Sequence, residues 1–226
     1  MRYIITISFL LLTIFAFAQK NDRFSLVVQM QPELAWYKND YAFIGTEKKT
    51  ISSTNIGFTA SLQYNPGKRF FADLGVGFIS RKFNTAIITD PSIYSDRNIM
   101  LLEIFVTQSI TSRILQLPLG VGYHLISTPK IGWFVKSSYV PNFILNTKYQ
   151  IPNHTAVKKD GGSGYSINLG TGLDYSISKK IALTGLLSYA VKNSVQQVQH
   201  SYNQGPYNVA ITYNYLQLGL GVKVKL

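Results

Sequence analysis

Apolar residues recur at every second position along eight stretches of this chain. The clearest runs from Ser163 to Ser178, SGYSINLGTGLDYSIS. Tyr165, Ile167, Leu169, Leu173, Tyr175 and Ile177 share one phase, and Ser166, Asn168, Gly170, Gly172, Asp174 and Ser176 share the other. A period of two marks a strand with two unlike faces. The same alternation covers Phe24 to Trp36, Ile56 to Tyr64, Phe70 to Phe78, Leu115 to Leu125 and Ile131 to Leu145. It returns in Ile181 to Val191 and Leu216 to Leu226, so that the pattern predicts eight strands and no amphipathic helix.

The connections alternate in length. Turn-forming residues sit at Asn65-Pro66-Gly67-Lys68, Ser127-Thr128-Pro129-Lys130 and Ser178-Lys179-Lys180. Long loops are expected at 38–51, 84–110, 150–163 and 193–208. The apolar run Ile99 to Val106 is read as an extension of the third and fourth strands, not as a hairpin that would raise the count to ten. Short turns on one side, long loops on the other and an even strand number are the pattern of an outer-membrane barrel. Most of the strands exceed the roughly 5–6 residues usual in soluble proteins. They reach the roughly 9–11 that a tilted strand needs to cross a bilayer.

The polar phase decides which solvent each face meets. A face in bulk water should be rich in Lys and Glu. This one holds Ser, Thr, Asn and Gln together with ten glycines: Gly57, Gly75, Gly77, Gly120, Gly122, Gly132, Gly170, Gly172, Gly219 and Gly221. Glycine weakens an exposed strand. Inside an eight-stranded barrel, which has room for only a few side chains, it has a use. The small polar face is therefore predicted to point inward and the apolar face toward lipid. The fold class that follows is all-β: an eight-stranded antiparallel up-and-down transmembrane β-barrel. Closure also pairs every backbone group, as hydrocarbon requires. Tyr64, Phe70, Tyr123, Trp133 and Tyr175 should form an aromatic girdle on the short-turn side, and Trp36, Phe78, Tyr165 and Tyr189 a second one opposite. Pro32 and Pro141 fall on the lipid phase, where bulges or rim positions are expected.

Composition sharpens this picture. The net charge is +12, yet only 14% of the residues are charged, and there is no basic run of the kind that tracks nucleic acid. The balance implies a preference for anionic surroundings. With no cysteine, disulfides, thiolate metal sites and lipid-modified cysteine are excluded. Arg2, the apolar run Ile4 to Phe15 and then Ala16-Phe17-Ala18 read as a secretory signal peptide over 1–18. Cleavage is expected after Ala18, which leaves 19–226 as one barrel domain exported to the outer membrane.

Few motifs carry chemistry. LGVGF (74–78), LGVGY (119–123), LGTGL (169–173) and LGLGV (218–222) repeat a Gly-x-Gly. None extends to GxGxxG or precedes a helix, so they read as lumen-facing glycine pairs and not as nucleotide loops. Lys158-Lys159-Asp160-Gly161-Gly162-Ser163-Gly164 lacks the phosphate-loop order and reads as a surface loop. Glu33, Asp73, Arg81, His124, Lys136, Asp174, Lys192 and Lys223 share the inward phase, with Asp73, His124, Asp174 and Lys223 toward the short-turn end. Lone buried charges are costly, so these should pair across the barrel. The cluster reads as a structural polar plug, with a gated ion path as the functional alternative. His154 and His200, with Asp160, Ser163 and Ser201 near in sequence, are the only candidates for a hydrolase or acyltransferase site at the outer rim. No cofactor and no metal site is expected.

The strand pair Arg113-Ile114-Leu115-Gln116-Leu117-Pro118-Leu119-Gly120-Val121-Gly122-Tyr123 and Gly132-Trp133-Phe134-Val135-Lys136-Ser137 resembles small outer-membrane barrels of the PorT-like family, with Gln116 in place of the family's usual acid. The resemblance covers the whole exported chain. It implies a barrel in the outer membrane of a Gram-negative cell and supplies no catalytic motif. The family's named member is linked to type IX secretion, a role not carried over here.

The function expected from sequence is therefore non-enzymatic: a scaffold or interaction module presenting its loops. A narrow channel, a rim enzyme and a soluble periplasmic ligand-binding barrel are the alternatives. The expected partners are outer-membrane lipid, lipopolysaccharide, the insertion machinery and an envelope protein, but no nucleic acid. The final strand, with Leu216, Leu218, Leu220, Val222, Val224 and Leu226, is expected to act as the recognition segment for insertion.

Overall fold

The computed structural model describes residues 23–38, 50–67, 69–88, 105–151, 154–158, 162–201, 205–211 and 213–226. The signal-peptide reading and most of the 38–51 loop lie outside these residues. All regular elements are strands: β1 (Phe24–Lys38), β2 (Thr50–Tyr64), β3 (Phe70–Ile88), β4 (Phe105–Gln116), β5 (Leu119–Ser127), β6 (Ile131–Ile151), β7 (His154–Lys158), β8 (Gly162–Ser176), β9 (Ile181–Ser201), β10 (Gly205–Ile211) and β11 (Tyr213–Lys225). They make eight antiparallel staves, because β4 with β5, β7 with β8 and β10 with β11 each serve as one. β11 pairs both β9 and β1, which closes the barrel.

The alternation sets the faces as the sequence predicts. Phe70, Val121, Leu173 and Leu183 are 64%, 63%, 57% and 48% exposed. Similar aliphatic and aromatic side chains stand outward along every stave. A water-soluble monomer rarely exposes an apolar patch beyond a few hundred Å². A continuous outer band belongs in lipid, so the barrel sits in the outer membrane, and a soluble periplasmic barrel does not fit this surface. Aromatic pairs mark its edges: Phe70 meets Tyr123 at 4.9 Å and Phe24 meets Tyr64 at 5.0 Å on the turn side. Trp36 and Tyr189 lie 6.4 Å apart on the loop side. Trp133 satisfies its indole N–H by donating to Thr171 Oγ1 at 2.8 Å.

Three expectations need correction. Strand pairing runs far into the segments read as loops. β3 and β4, paired to Ile88 and Phe105, extend as the sequence reading expects, whereas β6 folds back on β7 and β9 continues against β10. These stretches alternate too weakly in hydrophobicity to be read as strands; hydrogen bonding to a neighbour carries them. Pro32 and Pro141 are neither at bulges nor at the rim. Pro32 faces Ile56 and Pro141 faces Tyr165 in unbroken register, mid-stave. The bulges lie instead opposite Arg113/Ile114, at His124/Ile126 and opposite Ile167/Asn168. The last one corrects Lys192. Ile167 faces Lys192 and Asn168 faces Ala190, so Val191 is an extra residue and the phase inverts. Lys192 turns outward, with Nζ 5.7 Å from the Tyr165 ring centre, while Asn193 takes the buried position.

Candidate functional site

The lumen is filled in layers of side chains that reach across neighbouring staves. At the short-turn mouth, Lys223 Nζ meets Asp174 Oδ2 at 2.8 Å. The pair spans β11 and β8 across the intervening β9, where the small Ala182 and Thr184 leave room. His124 stands beside this layer. Its ring lies 5.1 Å from Phe71 and 5.8 Å from Phe134, and its buried Nδ1 has no hydrogen-bond partner.

The next layer is apolar, a feature the sequence reading missed. Phe71, Phe134 and Leu186 are buried together, with the two phenyl rings edge-to-face at 5.5 Å. Glycines make the space. Phe71 is paired across the ladder with Gly122, and Phe134 with Gly172. Leu186 lies between Gly172 and Gly219. A Cβ on Gly122 would collide with the tip of the Phe71 ring, and one on Gly172 with the Phe134 ring. The repeated Leu-Gly-x-Gly element is thus the complement of lumen side chains on neighbouring staves.

Above it, Lys136 Nζ meets Asp73 Oδ2 at 2.7 Å. Gly120 of β5 lies between them, and a Cβ there would come within 2.6 Å of both Asp73 Oδ1 and Lys136 Cε. Lys136 also has glycines on both flanks, Gly122 and Gly170. This pair borders a cavity of about 40 Å³ lined by Gln29, Gln31, Ser138, Ser188 and Gln217 among others. That is room for about three waters. One polar atom at its wall, Asp73 Oδ1, has no protein partner, which a water there would satisfy.

The outer half holds the most connected network. Arg81 Nε donates to Glu33 Oε1 at 2.8 Å and its Nη2 to Glu33 Oε2 at 2.7 Å, a two-point pair buried on both sides. Asn55, on the stave between, donates to Glu33 Oε1 at 3.1 Å and accepts from the Lys82 N–H at 2.9 Å. The guanidinium stacks 4.8 Å from the centre of the Tyr215 ring. The Tyr215 hydroxyl donates to Asn168 Oδ1 and is 2.8 Å from Ser166 Oγ. Nearby, Gln116 donates to Asn142 at 2.8 Å, an amide pair where the resembled family carries an acid.

Of the charges read as inward, Glu33, Asp73, Arg81, Lys136, Asp174 and Lys223 enter three ion pairs, each skipping one stave. His124 joins the aromatic layer, and Lys192 leaves the lumen. Of the rim candidates, His154 and Ser163 are not brought together. His154 pairs with Ile151 at the outer end of β6, whereas Ser163 pairs with Phe143. Those partners lie roughly 26 Å apart at about 3.3 Å per strand residue. Asp160 lies outside the described residues. Among the described residues, no three His, Asp or Glu side chains come together as metal ligands would.

In β11, Leu216, Leu218, Leu220 and Val222 face outward, while Val224 and, just past the strand, Leu226 are partly covered at the turn-side end.

Residues 17–196 match the family described as "Outer membrane protein beta-barrel domain". No curated protein matches the chain. Among solved structures, Neisserial surface protein A is 12% identical with a TM-score of 0.49, covering 90% of this chain and 97% of its own. A major outer membrane protein from Thermus thermophilus is 14% identical with a TM-score of 0.46, covering 87% and 98%. The outer membrane protease OmpT from Escherichia coli is 7% identical with a TM-score of 0.44, covering 91% and 97%. These likenesses carry no argument about activity. By its family match, with its closed barrel and apolar outer band, the chain belongs to the outer-membrane β-barrel domain family.

Proposed function

We propose that this protein is a non-enzymatic, plugged outer-membrane barrel whose role lies in the surfaces it presents, a scaffold or interaction module. One observation carries the reading: successive lumen layers are occupied by cross-barrel ion pairs and by the Phe71–Phe134–Leu186 cluster. An ion crossing would have to break buried paired charges, and depriving one such charge of its partner typically costs about 3–5 kcal/mol. The aromatic layer offers it no ligand. The likeness of the Arg113 to Ser137 region to PorT-like barrels supports an envelope role without assigning secretion. Export after cleavage at Ala18, and use of β11 as the segment read by the insertion machinery, belong to the same proposal. The test is conductance of the purified barrel in planar lipid bilayers. We expect inserted protein to give no single-channel steps; reproducible steps would establish the narrow-channel reading instead.

The polar cavity beside Asp73 and Lys136 favours one second reading, a narrow path held shut by the aromatic layer. On that reading, the double substitution Phe71→Ala with Phe134→Ala opens conductance that the parent lacks.

A further inference from the structure

Among the described residues charge is sorted by position. Every described Asp and Glu side chain, Glu33, Asp73 and Asp174, is buried in the lumen against a cation. The cations at the short-turn end outside the lumen, Arg23, Arg69, Lys130, Lys179, Lys180 and Lys225, are exposed. Among the described residues no Asp or Glu side chain outside the lumen shares that rim.

Their spacing follows from topology. Arg23 and Lys225 stand at the β1–β11 seam, Arg69 between β2 and β3, Lys130 between β5 and β6, and Lys179 with Lys180 between β8 and β9. Each junction between staves on this side of the barrel therefore carries at least one cation, and together they form a ring. Backbone bonds fix the ring at the strand ends. His124 N–H donates to the Arg69 carbonyl, Ser176 N–H to that of Lys130, Lys225 N–H to that of Lys180 and Asn65 N–H to that of Arg23. The ring also lies against the aromatic girdle. Arg69 Nη1 donates to the Tyr123 hydroxyl at 2.9 Å, and its guanidinium lies 6.0 Å from that ring's centre. Girdle aromatics sit at headgroup depth, so the cation held against one sits there too.

We infer that this ring binds the phosphates of anionic phospholipids in the leaflet that the short turns face. Cations near an anionic membrane surface each contribute measurably to attraction. A protein partner would dock on one side, whereas these charges surround the barrel. The centre of the mouth is already occupied by Asp174, Lys223 and His124. The inference rests on the membrane placement of the barrel and is independent of whether the lumen conducts.

The experiment uses the full barrel in phosphatidylcholine vesicles carrying trace spin-labelled phosphatidylglycerol or spin-labelled phosphatidylcholine. Electron paramagnetic resonance then gives the relative association of each lipid with the protein. We expect phosphatidylglycerol to be favoured by about fivefold, the size of one cation–headgroup contact. The preference should fall toward unity at high salt and in the variant combining Lys130→Gln, Lys179→Gln, Lys180→Gln and Lys225→Gln. An unchanged urea midpoint identifies that variant as folded, and the Lys179→Gln/Lys180→Gln pair alone should lose part of the preference. Equal association of the two lipids, or a preference that survives the substitutions, overturns the inference. Binding of soluble polyglutamate by an inserted barrel without lipid preference would overturn it in favour of an acidic polymer. A chain that never inserts would contradict the membrane placement itself.

Discussion

Glu33 and Arg81 illustrate what single residues do in this barrel. Both are almost wholly buried, and their two-point pair is extended by Asn55 and by the ring of Tyr215. A buried pair is weak evidence of net stability, but one left without its partner is costly. Glu33→Ala should therefore destabilise the barrel by about 3–5 kcal/mol, read from urea unfolding in vesicles. Glu33→Ala combined with Arg81→Met should recover most of that loss; equal destabilisation by the single and double variants would show that the pair is not the reason. The sequence made the phase of these residues legible, because alternation alone places them inside. It could not name the partners, since each pair skips a stave and depends on register. Phe71 and Phe134 were hidden for another reason. Each follows an outward aromatic, Phe70 and Trp133, so neighbouring rings blur the alternation. The usable cue was the glycine opposite each.

At the scale of the element, a strand here is specified by its neighbours as much as by its own pattern. Glycine positions on one stave are answered by large lumen residues on the next: Gly122 by Phe71, Gly172 by Phe134 and Gly120 by Asp73. Register is thereby pinned, since a one-residue slip would turn every side chain to the wrong face. Gly122→Val should force the Phe71 ring from its place and cost about 1–3 kcal/mol, as overpacking does. Gly122→Val with Phe71→Ala should regain part of this; thermal unfolding in detergent micelles checks both. Bulges were not legible. The one at Val191 reverses Lys192 and Asn193 relative to simple alternation, and the sequence there contains no glycine or proline to announce it. The prolines misled in the opposite direction. Each lacks one ladder donor, yet the staves on either side hold register around it.

For the whole molecule, two solvents are separated by a single wall. The outer face buries aliphatic and aromatic side chains in lipid, and the inner face packs polar, charged and a few apolar groups to the width that eight staves allow. The architecture was legible because it rests on period, turn length and the smallness of one face. The filling of the lumen was not, because it is settled by contacts between staves distant in sequence. Among the described residues the same division holds for charge: Glu33, Asp73 and Asp174 lie inside against cations, and the turn-side rim outside the lumen carries only cationic side chains.

The central claim is this inversion of wet and oily faces, and single-cysteine spin labels test it most directly in a chain without native cysteine. Labels at Leu173, Leu183 and Leu220 should collide readily with dissolved oxygen and rarely with a water-soluble nickel chelate. Labels at Ser138 and Ser188, which line the inner cavity, should be shielded from both. The reverse, with the leucines shielded and the serines oxygen-accessible, would contradict the account.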